Sequence, residues 1–94
     1  MSDQPTGADS SAPRYGVMLL NDDVTPMEFV VQVLQDVFDM ERDDAIKLML
    51  HIHHNGIGEC GTYPQAEASR KVADVLALVR EHQHPLQCVM ERRN

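Results

Sequence analysis

YGVMLLNDDVTPMEFVVQVLQDVFD, residues 15–39, changes its period once, and that change decides the fold class. YGVMLL (15–20) is a short unbroken apolar run, the pattern of a strand covered on both faces or backed by a layer of helices. From Pro26 to Asp39 the apolar residues Met27, Val30, Val31, Leu34, Val37 and Phe38 recur at intervals of three and four, one face of a helix. Between strand and helix the chain is polar, with Asn21, Asp22 and Asp23 at the strand's exit. Thr25-Pro26-Met27-Glu28 has the form of a capping box: Thr25 accepts from the third amide, Pro26 takes the first helical position and Glu28 reaches back.

The same two periods alternate along the rest of the chain. In ERDDAIKLMLHIHHNG (41–56) Ala45, Leu48, Met49 and Ile52 form a second helical stripe, acidic residues crowd the first turn, and Gly56 offers a left-handed stop. IGECGTY (57–63) reads as a short strand weakened by glycine. Pro64 can open a third helix, with Val72, Val75, Leu76 and Val79 at helical spacing before HQHP (82–85) ends it. In LQCVMER (86–92) Leu86, Cys88 and Met90 alternate with Gln87 and Glu91, which fits a half-buried strand. The order β-α-α-β-α-β predicts a single small α+β domain: a three-stranded antiparallel sheet with three helices packed on one side. MSDQPTGADSSAP (1–13) is mostly Ser, Asp, Gly, Ala and Pro and cannot offset its ordering entropy by burial. It is expected to be a disordered N-terminal extension ahead of a folded domain over 14–94.

Ninety-four residues suffice for one core and not for two. Apolar residues make up 43% and charged residues 24%, ordinary globular usage that separates the chain from disordered ones. A formal charge of −7 and a pI near 5.0 argue against nucleic acid, whose affinity comes from Lys and Arg, and suit an amine or a basic surface. No run approaches the ~18 apolar residues of a membrane span, and residues 1–13 lack the basic start and apolar centre of a signal peptide. A cytoplasmic location with no membrane partner is therefore expected. Cys60 and Cys88 form no CxxC pair and read as reduced packing residues.

Chemistry-bearing patterns are few. His51, His53 and His54 come without an HExxH or a second ligand cluster, so no metal is expected, and His53, at the edge of the apolar stripe, is commonly a histidine satisfied by a neighbouring backbone group. Serines stand only at 2, 10, 11 and 69, with no GxSxG. An acid–base hydrolase using Asp22, Asp23 and His53 is conceivable, yet no substrate-anchoring motif accompanies it. Gly56, Gly58 and Gly61 lack the GK[ST] ending of a phosphate loop. No catalytic residue and no cofactor is expected. Asp23 can gain from the helix dipole, and Asn and Asp commonly bond their own backbone, so by themselves Asn21, Asp22 and Asp23 are open to both a turn and a ligand role.

VMLLNDDVTPMEFVVQVL (17–34), LMLHIHHNG (48–56), CGTY (60–63), KVA (71–73) and HPLQCVME (84–91) together resemble the ClpS family. These are N-degron adaptors that deliver proteins to the ClpA-type AAA+ unfoldase of the ClpP protease. The family's core is a β-α-α-β-α-β domain behind an N-terminal extension. The resemblance implies a binding module, not an enzyme, that holds proteins whose first residue is Leu, Phe, Tyr or Trp. Asn21, Asp22, Asp23 and His53 would bind the free α-amine. Thr25, Met27, Val30, Met49, Ile52 and Leu86 would line the side-chain pocket, with Met27 as a gate against β-branched residues.

That set makes chemical sense: an α-amine of pKa ~7.7–8.0 is mostly an ammonium near neutrality, with three donors and no acceptor. It requires oxygen and neutral imidazole lone pairs, which these four residues carry. Two departures stand out. Val24 replaces a common aromatic and is expected to face solvent. In PQAEASRKV (64–72) Lys71 is kept, but Ala66 and Ser69 stand where Glu is usual, on the surface the resemblance associates with unfoldase docking. A general protein-interaction domain without specificity for N-terminal residues is the alternative.

Overall fold

The first apolar run becomes the middle of the sheet. Strand β1 (Arg14–Leu20) pairs antiparallel with β2 (Ile57–Pro64) on one side and β3 (Gln87–Arg93) on the other. Three helices complete the order expected: α1 (Met27–Asp36), α2 (Arg42–Asn55) and α3 (Gln65–His82). The computed structural model describes residues 12–93, so the extension expected over 1–13 lies outside the described residues except for Ala12 and Pro13.

Being central explains the unbroken hydrophobicity of β1. Val17 and Leu19, both 0% exposed, point into the helix layer. Met18, on the opposite face, is buried beneath Arg93, whose guanidinium lies 3.5 Å from the Met18 sulfur and pairs with Glu59 across the strand. Helix α3 lies against all three strands, while α2 packs on β2 and on α1. The fully buried Val17, Leu19, Val31, Val33, Leu34, Ile52 and Val75 anchor this core, each worth about 1.5–3 kcal/mol of removed apolar surface.

Several boundaries differ from the sequence reading, for tertiary reasons. The capping box does not form: Pro26 is the N-cap residue with no side-chain bond, and Thr25 turns back to Asp22 instead. Glu28 is drawn to Arg42, at 3.0 and 3.3 Å from its two guanidinium nitrogens. Charged partners outcompete helix amides for both side chains. Helix α1 stops at Asp36, three residues early, with Asp39 left-handed at φ 58°; Val37 and Phe38 fold into the core from the turn beyond it. The carbonyl of Val37 accepts from Lys71 Nζ at 2.9 Å, and the same ammonium lies 5.6 Å from the Tyr63 ring centroid. Pro64 closes β2 and caps α3 rather than beginning it, and β3 starts one residue after Leu86.

Strand β2 fits between β1 and α2 through two local adjustments. A register shift opposite Val17 and Met18 leaves Cys60 as an extra, buried residue. Gly58 lets α2 approach closely: a Cβ there would fall 2.5 Å from Ile52 Cγ1 and 3.2 Å from Leu48 Cδ1. Cys60 and Cys88 are free thiols, and burial pushes both up to about 12, so neither is a ready thiolate.

Candidate functional site

Leaving β1, the chain must reverse to enter α1, and Asp22 directs the turn. Its Oδ1 accepts from the amides of Val24 at 2.8 Å and Thr25 at 2.7 Å, and its Oδ2 accepts from the Thr25 hydroxyl at 2.7 Å. A short acidic side chain bonded two and three residues ahead is the Asx arrangement that Asp favours. The preceding residue ties this loop to the second helix: the Asn21 amide donates to the Gly56 carbonyl at 2.9 Å. Gly56, at φ 86°, is the left-handed stop of α2, as its sequence position suggests. The end of α2 and the loop are thereby joined.

A cavity of about 130 Å³ opens between them. Asn21, Asp22, Asp23, Thr25 and His53 supply its polar lining; Met27, Val30, Met49, Ile52 and Leu86 supply the apolar part. Burial orders the two: Val30, Met49, Ile52 and Leu86 are buried, whereas Asp23 and His53 are exposed, so the cavity is apolar at depth and polar toward solvent. Met27, 46% exposed, stands at the rim. A dry cavity of ~150 Å³ holds benzene, so this one matches a branched aliphatic side chain or an aromatic ring.

All ten residues singled out for amine and side-chain contacts thus meet round one opening. Lys71 does not. It lies on α3 beside a shallow groove formed with Pro64, Ala66, Glu67 and Arg70.

Electrostatics favour an ionised Asp22. Partial burial would raise the Asp22 carboxyl, but the Thr25 hydroxyl and the amides of Thr25 and Val24 outweigh it, and His84 adds to them, so its pKa lies below the ordinary value. His53 packs edge-on against His54, ring centroids 5.7 Å apart. It makes no hydrogen bond among the described residues, so the backbone partner expected of it is not found. Val24 is 71% exposed, as anticipated. The three loop bonds of Asp22 realise the turn reading left open for it. The electrostatic influence of His84 on Asp22 escaped the sequence reading and had no signal beyond the HPL block.

A family model described as "ATP-dependent Clp protease adaptor protein ClpS" matches residues 10–89, a span that contains every residue of the cavity. The chain belongs to the ClpS family. ClpS proteins are adaptors of the ATP-dependent Clp protease and not the protease itself. This ClpS chain is 57% identical over 79 residues to the ClpS 2 adapter of Rhodopseudomonas palustris, covering 84% of this chain and 72% of that one. It is 48% identical to the ClpS 2 adapter of Bradyrhizobium diazoefficiens over 103 aligned positions, covering 98% of this chain and 94% of that one.

A solved structure of Agrobacterium tumefaciens ClpS2 bound to L-phenylalaninamide superposes with a TM-score of 0.82 at 36% identity, covering 85% of this chain and 96% of that one. The likeness extends to the β-α-α-β-α-β order and the antiparallel sheet. Among the described residues, no helix of this ClpS is long and apolar enough to cross a membrane.

Proposed function

We propose that the cavity receives the first residue of a polypeptide, its free α-amine held by Asn21, Asp22, Asp23 and His53 and its bulky apolar side chain seated among Thr25, Met27, Val30, Met49, Ile52 and Leu86. The observation that carries this is the cavity's two-part character: apolar at depth, acidic at the mouth, and sized for one side chain. Leu, Phe, Tyr and Trp suit it, because each joins a large apolar group to an ammonium one atom away. L-phenylalaninamide, the ligand of the Agrobacterium tumefaciens relative, has that composition. Charge-assisted hydrogen bonds of roughly 1.5–3 kcal/mol each, with ~1.5–3 for the side chain, leave roughly micromolar affinity after the cost of association.

The bound protein is handed to a ClpA-type AAA+ unfoldase working with ClpP. The start of α3, around Lys71, is the docking surface in this reading. The chain itself makes and breaks no bonds. A peptide panel tests the recognition step: short peptides differing only in the first residue should bind in a group of Leu, Phe, Tyr and Trp, with Val weakened by the Met27 rim. Equal affinity for a peptide beginning with Arg would remove the side-chain pocket from this account.

A further inference from the structure

Among the described residues, one methionine is exposed. Met27 is 46% exposed, whereas Met18 and Met49 are 8% and 9% exposed and Met40 and Met90 are half-buried against the core. The Met18 sulfur lies 3.5 Å from the Arg93 guanidinium and the Met90 sulfur 3.7 Å from the Ser69 hydroxyl, so each already shares a lone pair with a donor. The Met27 sulfur makes no such bond among the described residues. Met27 is also the first residue of α1 and stands at the rim of the cavity that Met49 lines from within.

A thioether is apolar, and its sulfoxide is polar and hydrated. A peroxide makes the change without any other reactant. The Met27 sulfur attacks one peroxide oxygen, an S–O bond forms as the O–O bond breaks, and the departing hydroxide takes the transferred hydroxyl's proton and leaves as water. The sulfur gives up an electron pair and the peroxide is reduced. The new oxygen holds water at the rim, and an entering apolar side chain would strip that water and offer no donor in its place. On buried Met49 the same oxygen would disrupt packing; on exposed Met27 it leaves the core intact. Cys60 and Cys88 are buried thiols pushed up to about 12 and do not compete for the oxidant.

We infer that Met27 is an oxidation site that switches the cavity: as a thioether it admits a bulky apolar first residue, and as a sulfoxide, formed by a peroxide, it turns one away. The inference rests on the proposed reading of the cavity as a side-chain pocket. Methionine sulfoxide reductases restore the thioether, so the switch is reversible.

A time course of hydrogen peroxide treatment of the full chain, mapped by mass spectrometry, tests this. Met27 should gain oxygen ahead of Met18, Met40, Met49 and Met90. Affinity for a Leu-initiated peptide should then fall roughly fivefold or more, with the circular dichroism spectrum unchanged, and should return after reductase treatment. Met27→Leu, whatever its starting affinity, should show no fall on the same treatment. Met27→Gln, a polar side chain of similar length, should bind more weakly than the parent with no oxidant present. Oxygen on Met27 with affinity unchanged, an equal fall in Met27→Leu, earlier oxidation of a buried methionine, or parent-like binding by Met27→Gln would overturn the inference. An untreated protein that binds Leu- and Arg-initiated peptides equally would instead overturn the pocket reading, and this inference with it.

Discussion

Asp22 carries a load that its neighbour Asp23 does not. Three hydrogen bonds from Val24 and Thr25 make it the organiser of the loop, while Asp22 and Asp23 both line the cavity. Asp22→Ala should therefore lower both peptide affinity and folding stability, the latter by ~1 kcal/mol in urea denaturation. Asp23→Ala, at an exposed position, should lower affinity alone. The acid response has a definite sign. Because the folded-state pKa of Asp22 is depressed, its stabilisation is complete above the unfolded value near 3.8 and is lost as pH falls through the lower folded value. In an acid titration followed by circular dichroism, Asp22→Asn should show less loss of stability than the parent protein below about pH 4.

At the scale of elements, glycines and one lysine decide how helices meet the sheet. Gly58→Ala would place a methyl 2.5 Å from Ile52, a wall of the cavity. It should cost about 1–3 kcal/mol in thermal or urea unfolding and lower peptide affinity as well. Gly56→Ala meets no atom within 4 Å, so its cost, about 1 kcal/mol, comes only from φ 86°.

Lys71 donates from its ammonium to the part-buried Val37 carbonyl at the C-terminal end of α1. Lys71→Ala should lose ~1 kcal/mol of stability, measurable without any partner; unchanged stability would leave it only a surface role. Local periodicity was enough to read α1, α2 and the central strand, because their burial follows from spacing. The capping of α1 and its early end were not legible, since Asp22, Arg42 and Lys71 reach those positions from elsewhere in the fold.

At the scale of the whole molecule, the fold brings residues 21–25 and 49–53 together round one cavity. The two stretches lie far apart in the chain, and neither has a ligand-binding pattern of its own. Two helix faces could be inferred to share a cleft, but the link that closes it, the Asn21 amide on the Gly56 carbonyl, is a tertiary hydrogen bond with no sequence signal. The combination of NDD with a distant His and HPL singled out the residues that line the cavity, through resemblance more than through physics. What physics adds is the gradient from a buried apolar floor to an acidic mouth.

Calorimetric titration of the protein with a Leu- or Phe-initiated peptide, against the same peptide N-acetylated, bears on that gradient most directly. Acetylation removes the ammonium and leaves the side chain, so affinity should fall at least about tenfold, the worth of one charge-assisted hydrogen bond or more. Equal affinity for the two peptides would contradict recognition of the free α-amine.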